Sequence, residues 1–208
     1  MATELSTAAG AASSVNEKIA CLNFASAKNP GGGFLNGSLA QEESISLCSC
    51  VYSSLTQFHS QYYEINRKDP RDALYHNMLI YSPGCTIFRE DVGYTLLEIP
   101  VQASFLSCPA VNRGVALKKG IKPERVSEEM LRRMQLVLRV CAEKGYSTLL
   151  LGAWGCGVFQ NQPQEIAKQF VGLLAKNGAP YKNVFRKVVF AVGKEQKKVD
   201  IFRNLFRL

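Results

Sequence analysis

Residues Asn29–Glu43 read NPGGGFLNGSLAQEE: three consecutive glycines, a short polar loop, then a pair of carboxylates where a helix-like pattern begins. Gly31, Gly32 and Gly33 accept backbone angles closed to other residues and let a ligand approach bare N–H groups. Successive N–H groups in such a run form a concavity suited to an anion. Gln41, Glu42 and Glu43 fall in the first turn of the helix-like stretch, where carboxylates are favoured by the helix dipole. The stretch reads as an anion cradle beside an acid. Glycine runs are also plain turns and acids at a helix start plain caps, so the reading needs support from elsewhere in the chain. The usual nucleotide-triphosphate loop is excluded, because no Gly-Lys-Ser/Thr follows the glycines.

Upstream, Ile19–Phe24 (IACLNF) has the length of a buried strand and delivers the chain to the glycines. Strand, loop, helix is the expected order for a phosphate site. Downstream, Cys48, Val51, Tyr52, Leu55 and Phe58 recur at helical spacing, which predicts one helix running to about Phe58 with that face in the core. Gln61–Asp72 is polar and ends in Asp-Pro-Arg-Asp, which predicts a loop. Met78–Tyr81 is a predicted strand closed by Ser82-Pro83-Gly84, with Cys85–Phe88 and Tyr94–Glu98 pairing as a small ribbon. Val101–Ser107 is a second buried strand, ended by Cys108-Pro109-Ala110-Val111-Asn112. A loop at the carboxyl end of such a strand is where open α/β sheets bind ligands.

Lys118, Lys119, Lys122 and Arg125 form a basic connector, read as a solvated loop in preference to a polymer-binding patch. Ser127 is then a predicted N-cap, with Glu128 and Glu129 in the first turn, Met130, Met134, Val137 and Cys141 on one apolar face, and Gly145 at the end. Thr148–Leu151 is a third buried strand, and it empties into a second glycine loop, Gly152-Ala153-Trp154-Gly155-Cys156-Gly157-Val158-Phe159. Asn161 or Gln162 and then Pro163 start a helix with Ile166, Phe170 and Leu173 or Leu174 as its core face. Phe185–Val192 is a last strand, and Val199, Phe202, Leu205 and Phe206 mark a closing helix. Alternating strands and helices predict a layered α/β domain. Two strand–glycine loop–helix units in one domain can grip both sides of a diphosphate.

A length of 208 residues fits one domain, and the net charge of +8, spread over several segments, suits an acidic partner. Seven cysteines at irregular spacing do not form a secreted disulfide framework and point to a reducing, intracellular setting. The two histidines, His59 and His76, have no ligand-like spacing, so no metal and no cofactor are expected. No apolar run approaches the roughly 18 to 20 residues that span a bilayer, and the opening MATELSTAAGAASSV lacks the pattern of a signal peptide. Residues 1–18 read as a loose lead-in to a single domain over 19–208.

GGG, a short spacer and QEE resemble the signature of poly(ADP-ribose) glycohydrolases. The resemblance extends through NFASAKNPGGGFLNGSLAQEE, LIYSP at Leu79–Pro83, CPAVN at Cys108–Asn112 and LGAWGCGVFQNQP at Leu151–Pro163, all similar to the bacterial-type branch. It implies a three-layer macrodomain-like fold, α/β with a mixed central sheet between helices, that binds ADP-ribose without a metal. By the same resemblance Glu43 is the catalytic acid and Glu42 the residue that holds the ribose at the scissile bond. Gly31, Gly32 and Gly33 would lie around the diphosphate with the backbone of Gly155, Cys156, Gly157 and Val158. Phe159 would pack against the ribose and adenine side, and Gln41 would order the signature loop. Bacterial-type members usually carry a longer helical segment before the first core strand than the 18 residues that precede Ile19.

The implied reaction is hydrolysis of ribose–ribose bonds in poly(ADP-ribose), releasing ADP-ribose mainly from chain ends. It needs a proton for the departing oxygen and stabilisation of an oxocarbenium-like transition state. Adjacent on a helix, Glu42 and Glu43 stand roughly 100° apart and take different roles. The expected partners are poly(ADP-ribose), ADP-ribose and poly(ADP-ribosyl)ated proteins, with neither membrane nor direct nucleic-acid binding, for a monomer in the cytoplasm or, in a eukaryote, the nucleus. Two alternatives share the fold: a reader that binds ADP-ribose without cutting it, and a hydrolase of mono-ADP-ribosylated protein.

Overall fold

Ile19–Phe24 is apolar at every position but Asn23, and in the computed structural model, which describes residues 18–69 and 72–207, it forms the central strand β1. Among the described residues five strands make one sheet in the order β2-β3-β1-β4-β5, with β2 at Ile80–Arg89, β3 at Leu96–Cys108, β4 at Thr148–Gly152 and β5 at Lys187–Ala191. All pairings are parallel except β2 with β3. Alternate residues of β1 enter different cores: Ala20 and Leu22 pack on one face, Ile19 and Cys21 on the other. A sheet buried on both sides is what helices on both faces require. This is the mixed α/β layering that the sequence predicts.

The first face carries α4 (Arg113–Lys118), α5 (Pro123–Glu143), α6 (Pro163–Leu174) and α7 (Gln196–Phe206). On α5, Val126, Met130, Met134, Val137, Leu138 and Cys141 are all buried. Each large side chain of that stripe contributes about 1.5–3 kcal/mol relative to exposure. The helix ends at Gly145, with φ of +69°, in a Schellman arrangement: Tyr146 N–H donates to Cys141 O at 3.0 Å and Gly145 N–H to Ala142 O at 3.0 Å. It begins at Pro123, four residues before the predicted cap. Ser127 lies inside the helix, and its Oγ accepts from Gln169 Nε2 at 2.8 Å on α6.

The second face carries α1 (Gln41–Cys48) and α2 (Val51–Leu55), and here the sequence expectation of one helix to Phe58 is corrected. Ser49 is extended and forms a bridge with Ile87, while Cys50 N–H donates to Thr86 O at 3.0 Å. The bridge to β2 interrupts the helix, yet Cys48, Val51 and Leu55 remain buried. The predicted loop from Gln61 is also corrected. A π-helical turn at His59–Tyr63 and α3 (Glu64–Arg67) continue the helical path, with Tyr62, Tyr63 and Asn66 buried.

Two more differences lie in the hairpin. Ser82-Pro83-Gly84 does not close a strand: β2 passes through it with a register shift between Ser82 and Cys85 and Gly84 at φ +58°. A bulge is one of the places where a strand tolerates proline. The predicted Tyr94–Glu98 and Val101–Ser107 strands are one long β3. Its Pro100 is harmless because β1 pairs with β3 only from Ser104 onward.

Residues 1–17 of the predicted lead-in at 1–18, and Pro70 and Arg71 of the predicted loop, lie outside the described residues, as does Leu208. Among the described residues no helix is long and apolar enough to cross a membrane. Parallel pairing brings the carboxyl ends of β1, β3, β4 and β5 to one edge, and the chain switches sides of β1 between β3 and β4. Ligands of open α/β sheets bind at that kind of switch point.

Candidate active site

The loops after β1 and β4 meet at this edge around a cavity of about 430 Å³. Gly32, Gly33, Gln41, Glu42, Glu43, Gly155, Gly157, Val158 and Phe159 line it, joined by Ser26, Asn29, Asn36 and Ala110. The structure thus gathers most of the site residues named from the sequence. Gly31 and Cys156 stand apart. Gly31 packs behind Glu42 against Tyr52, and Cys156 opens to a neighbouring cavity of about 680 Å³.

Gln41 fixes the start of α1 to the end of β1. Its Oε1 accepts from Phe24 N–H at 2.6 Å and its Nε2 donates to Leu22 O at 2.8 Å, so the side chain mimics a neighbouring strand. That places Glu42 and Glu43 over the mouth of the sheet. Glu43 Oε1 accepts from Gly33 N–H at 2.8 Å and Oε2 from Ala40 N–H at 3.1 Å, the second bond capping its own helix. Glu42 is buried, with Oε2 accepting from Ser26 N–H at 2.6 Å and Oε1 facing Asn23 Nδ2 at 3.5 Å. Burial pushes the Glu42 carboxyl up to about 8, and the neighbouring Glu43 adds to that, against the opposing pull of the N–H groups of Ser26 and Gly31 and the Asn23 amide.

The two glycine loops have different work. Gly31 N–H bonds Glu42, Gly32 N–H donates to Asn29 O at 3.1 Å and Gly33 N–H is taken by Glu43. The first run therefore cradles the chain's own carboxylates. A side chain at Gly32 would strike Glu43 Oε1, and its φ of +63° is itself costly for other residues. In the second loop, by contrast, the N–H groups of Gly157, Val158 and Phe159 make no hydrogen bond to acceptors among the described residues. Gly155, at φ +71°, turns tightly enough for Asn161 Nδ2 to reach both Val111 O at 2.9 Å and Gly155 O at 3.2 Å. This leaves an open nest of donors across the cavity from the carboxyls, a geometry that suits an anion.

The Phe159 ring lies 6.4 Å from that of Tyr75, and Arg133 holds the Tyr75 segment from below. Fully buried, Arg133 donates to the carbonyl oxygens of Leu74, Tyr75 and Pro109 and to Asn77 Oδ1. Asn23, Ser26 and Asn29 were not singled out from the sequence. The one available signal was an asparagine inside the otherwise apolar IACLNF.

Residues 2–90 match the family described as microbial-type PARG, catalytic domain. Among solved structures, poly(ADP-ribose) glycohydrolase (PARG) from Thermomonospora curvata is similar at 40% identity and a TM-score of 0.87, over 99% of this chain and 72% of that one. The T. curvata enzyme bound to the inhibitor ADP-HPD gives 40% identity and 0.86, over 98% and 74%. The Deinococcus radiodurans enzyme in complex with ADP-ribose gives 37% and 0.85, over 98% and 79%. Curated protein sequences gave no match. With this identity over nearly its whole length, the same layered fold and the carboxyl pair at the shared edge, the chain belongs to the poly(ADP-ribose) glycohydrolase family.

Proposed function

We propose that the chain hydrolyses the ribose–ribose O-glycosidic bonds of poly(ADP-ribose) and releases ADP-ribose, mainly from chain ends, with Glu43 as general acid and base. The observation that carries this reading is the placement of Glu43: it lines the cavity while backbone N–H groups from both ends of the 33–40 loop hold its two oxygens. A diphosphate lies on the open donors at Gly157–Phe159, and the ribose beyond it reaches Glu42 and Glu43. The neighbouring cavity, which shares Phe24, Ala40, Gln41, Ala153 and Gly157, takes the nucleoside end.

In this reaction Glu43 gives a proton to the departing oxygen as the bond to the anomeric carbon breaks. The diphosphate steadies the resulting cation. Water then attacks that carbon and returns a proton to the Glu43 carboxylate, which restores the acid. Glu42 holds the ribose hydroxyls. Residues 19–208 form the catalytic unit, which acts as an intracellular monomer on poly(ADP-ribosyl)ated proteins to reverse that modification, including modification made in the DNA damage response.

Incubation with purified poly(ADP-ribose) tests the reading: free ADP-ribose accumulates from the outset, whereas early release of long oligomers would contradict cleavage at ends. A reader would bind the polymer and leave it intact. A mono-ADP-ribosyl hydrolase would strip a single protein-linked unit instead.

A further inference from the structure

At the corner between α1 and α2, outside both cavities, the bridge to β2 brings together two cysteines that the proposed reaction does not use. Ser49 pairs with Ile87, and the next residue, Cys50, is held to Thr86 twice. Its N–H donates to Thr86 O at 3.0 Å, and its Sγ accepts from Thr86 N–H at 3.2 Å. The Thr86 nitrogen is bonded to the Cys85 carbonyl carbon, so the second contact sets Cys50 Sγ within about 6 Å of Cys85 Cα. A hydrogen bond between the Cys50 and Cys85 side chains closes that gap.

The two thiols differ in exposure. Cys50 is the one exposed cysteine among the described residues, whereas Cys85 is buried, with Sγ also facing Ser82 O at 3.8 Å. Burial first, then the charge of Cys50 and the hydrogen bond to it, push the Cys85 thiol up to about 12, so Cys85 keeps its proton and donates it to Cys50. The exposed sulfur therefore accepts from two donors, the Thr86 N–H and the Cys85 S–H. An accessible thiol beside a second one that can resolve its oxidised form is the arrangement of redox-sensing cysteines. The remaining thiols lack it: Cys21, Cys48, Cys108 and Cys141 are buried, and Cys48 turns to Glu90 O at 3.3 Å.

We propose that Cys50 and Cys85 form a peroxide-sensitive dithiol, in which Cys50 is the residue oxidised and Cys85 resolves it as a disulfide. The Cys50 sulfur, having released its proton, attacks one oxygen of hydrogen peroxide. The O–O bond breaks, the second oxygen leaves as water, and Cys50 becomes a sulfenic acid. That step removes the Cys50 charge that helps hold the Cys85 proton in place. The Cys85 sulfur then attacks the Cys50 sulfur, and the hydroxyl leaves with the Cys85 proton as a second water. Two thiols and one peroxide give one disulfide and two waters. Sulfurs already in hydrogen-bond contact need only close to the S–S length of about 2 Å. The disulfide spares Cys50 from irreversible oxidation to the sulfinic acid.

The test exposes the native chain to hydrogen peroxide near neutral pH, then counts thiols in the unfolded protein and maps its peptides without reduction. The native chain is expected to lose two of its seven thiols, with Cys50 joined to Cys85, and dithiothreitol to restore both. In Cys85→Ala, dimedone should capture Cys50 as the sulfenic acid, which passes on to sulfinic acid when dimedone is absent. In Cys50→Ser no thiol should be lost under the same exposure. A native chain in which Cys50 stays reduced, goes directly to sulfinic acid or joins Cys48 would overturn the inference. Should Cys85→Ala fail to fold, Cys50→Ser and the native peptide map still decide. None of these outcomes depends on the glycohydrolase reading.

Discussion

Gly33 donates its backbone N–H to Glu43 Oε1 at 2.8 Å, so the glycine loop and the carboxylate it precedes by ten residues form one rigid unit. Gly32 sits so close beneath the same carboxyl that a methyl group there would meet Glu43 Oε1 and come within 3.0 Å of Glu42 Oε2. Gly32→Ala is therefore expected to displace both carboxyls. Misplacement of about 1 Å at a reacting group can cost about 100-fold in rate. ADP-ribose release should fall by that order in Gly32→Ala, with the melting temperature lowered by the strained φ; unchanged turnover would detach the loop from catalysis.

Glu42 makes stability depend on pH. Its carboxyl is raised from the usual 4.5 to about 8, so between those values the folded chain keeps a proton that the unfolded chain releases. The stabilisation is complete below the lower value and is lost as pH rises through the window, at no more than about 1.4 kcal/mol per pH unit. Glu42→Gln removes the dependence. Urea midpoints should show the variant gaining on the native chain from pH 5 to pH 8, and an equal offset at both would contradict the assignment.

Gln41 holds the carboxyl-bearing helix to β1 through Phe24 N–H and Leu22 O. Gln41→Ala leaves both groups short of a partner, at about 1–3 kcal/mol each. A lower urea midpoint together with reduced turnover is expected. Loss of stability without loss of turnover would mean that the helix keeps its place by packing alone.

Arg133 is buried, and burial pulls its guanidinium below the ordinary range, yet it is surrounded by the carbonyls it serves. Arg133→Met fills the volume and strands those acceptors, which should destabilise the chain by about 1–3 kcal/mol for each. Because Tyr75 faces Phe159, ADP-ribose binding should weaken as well. Hydrogen exchange at Tyr75 that stays as slow as in the native chain would argue against this tie.

The strands, the two glycine loops and the QEE position were legible because each is a local pattern: short apolar runs, glycines, and acids at a helix start. Long-range contacts were not. The helical spacing of Cys48, Val51 and Leu55 runs unbroken through Ser49, and nothing nearby announces that Ser49 will bridge to Ile87. Ser127-Glu128-Glu129 imitates a helix start, whereas Pro123 at the first position sets the real one. The polar look of Gln61–Arg67 hides Tyr62 and Tyr63, which are buried in the same core as Ile45 of α1 and Cys21 of β1. The division of labour between the loops was also invisible, since it depends on which N–H groups the chain's own carboxylates occupy.

Everything proposed for the reaction turns on Glu43 moving the proton. The decisive comparison is the release of free ADP-ribose from purified poly(ADP-ribose) by the native chain and by Glu43→Gln, with ADP-ribose binding followed by calorimetry on both. Both are expected to bind, and only the native chain to cut. A Glu43→Gln variant that still releases ADP-ribose at the native rate would remove Glu43 from the chemistry.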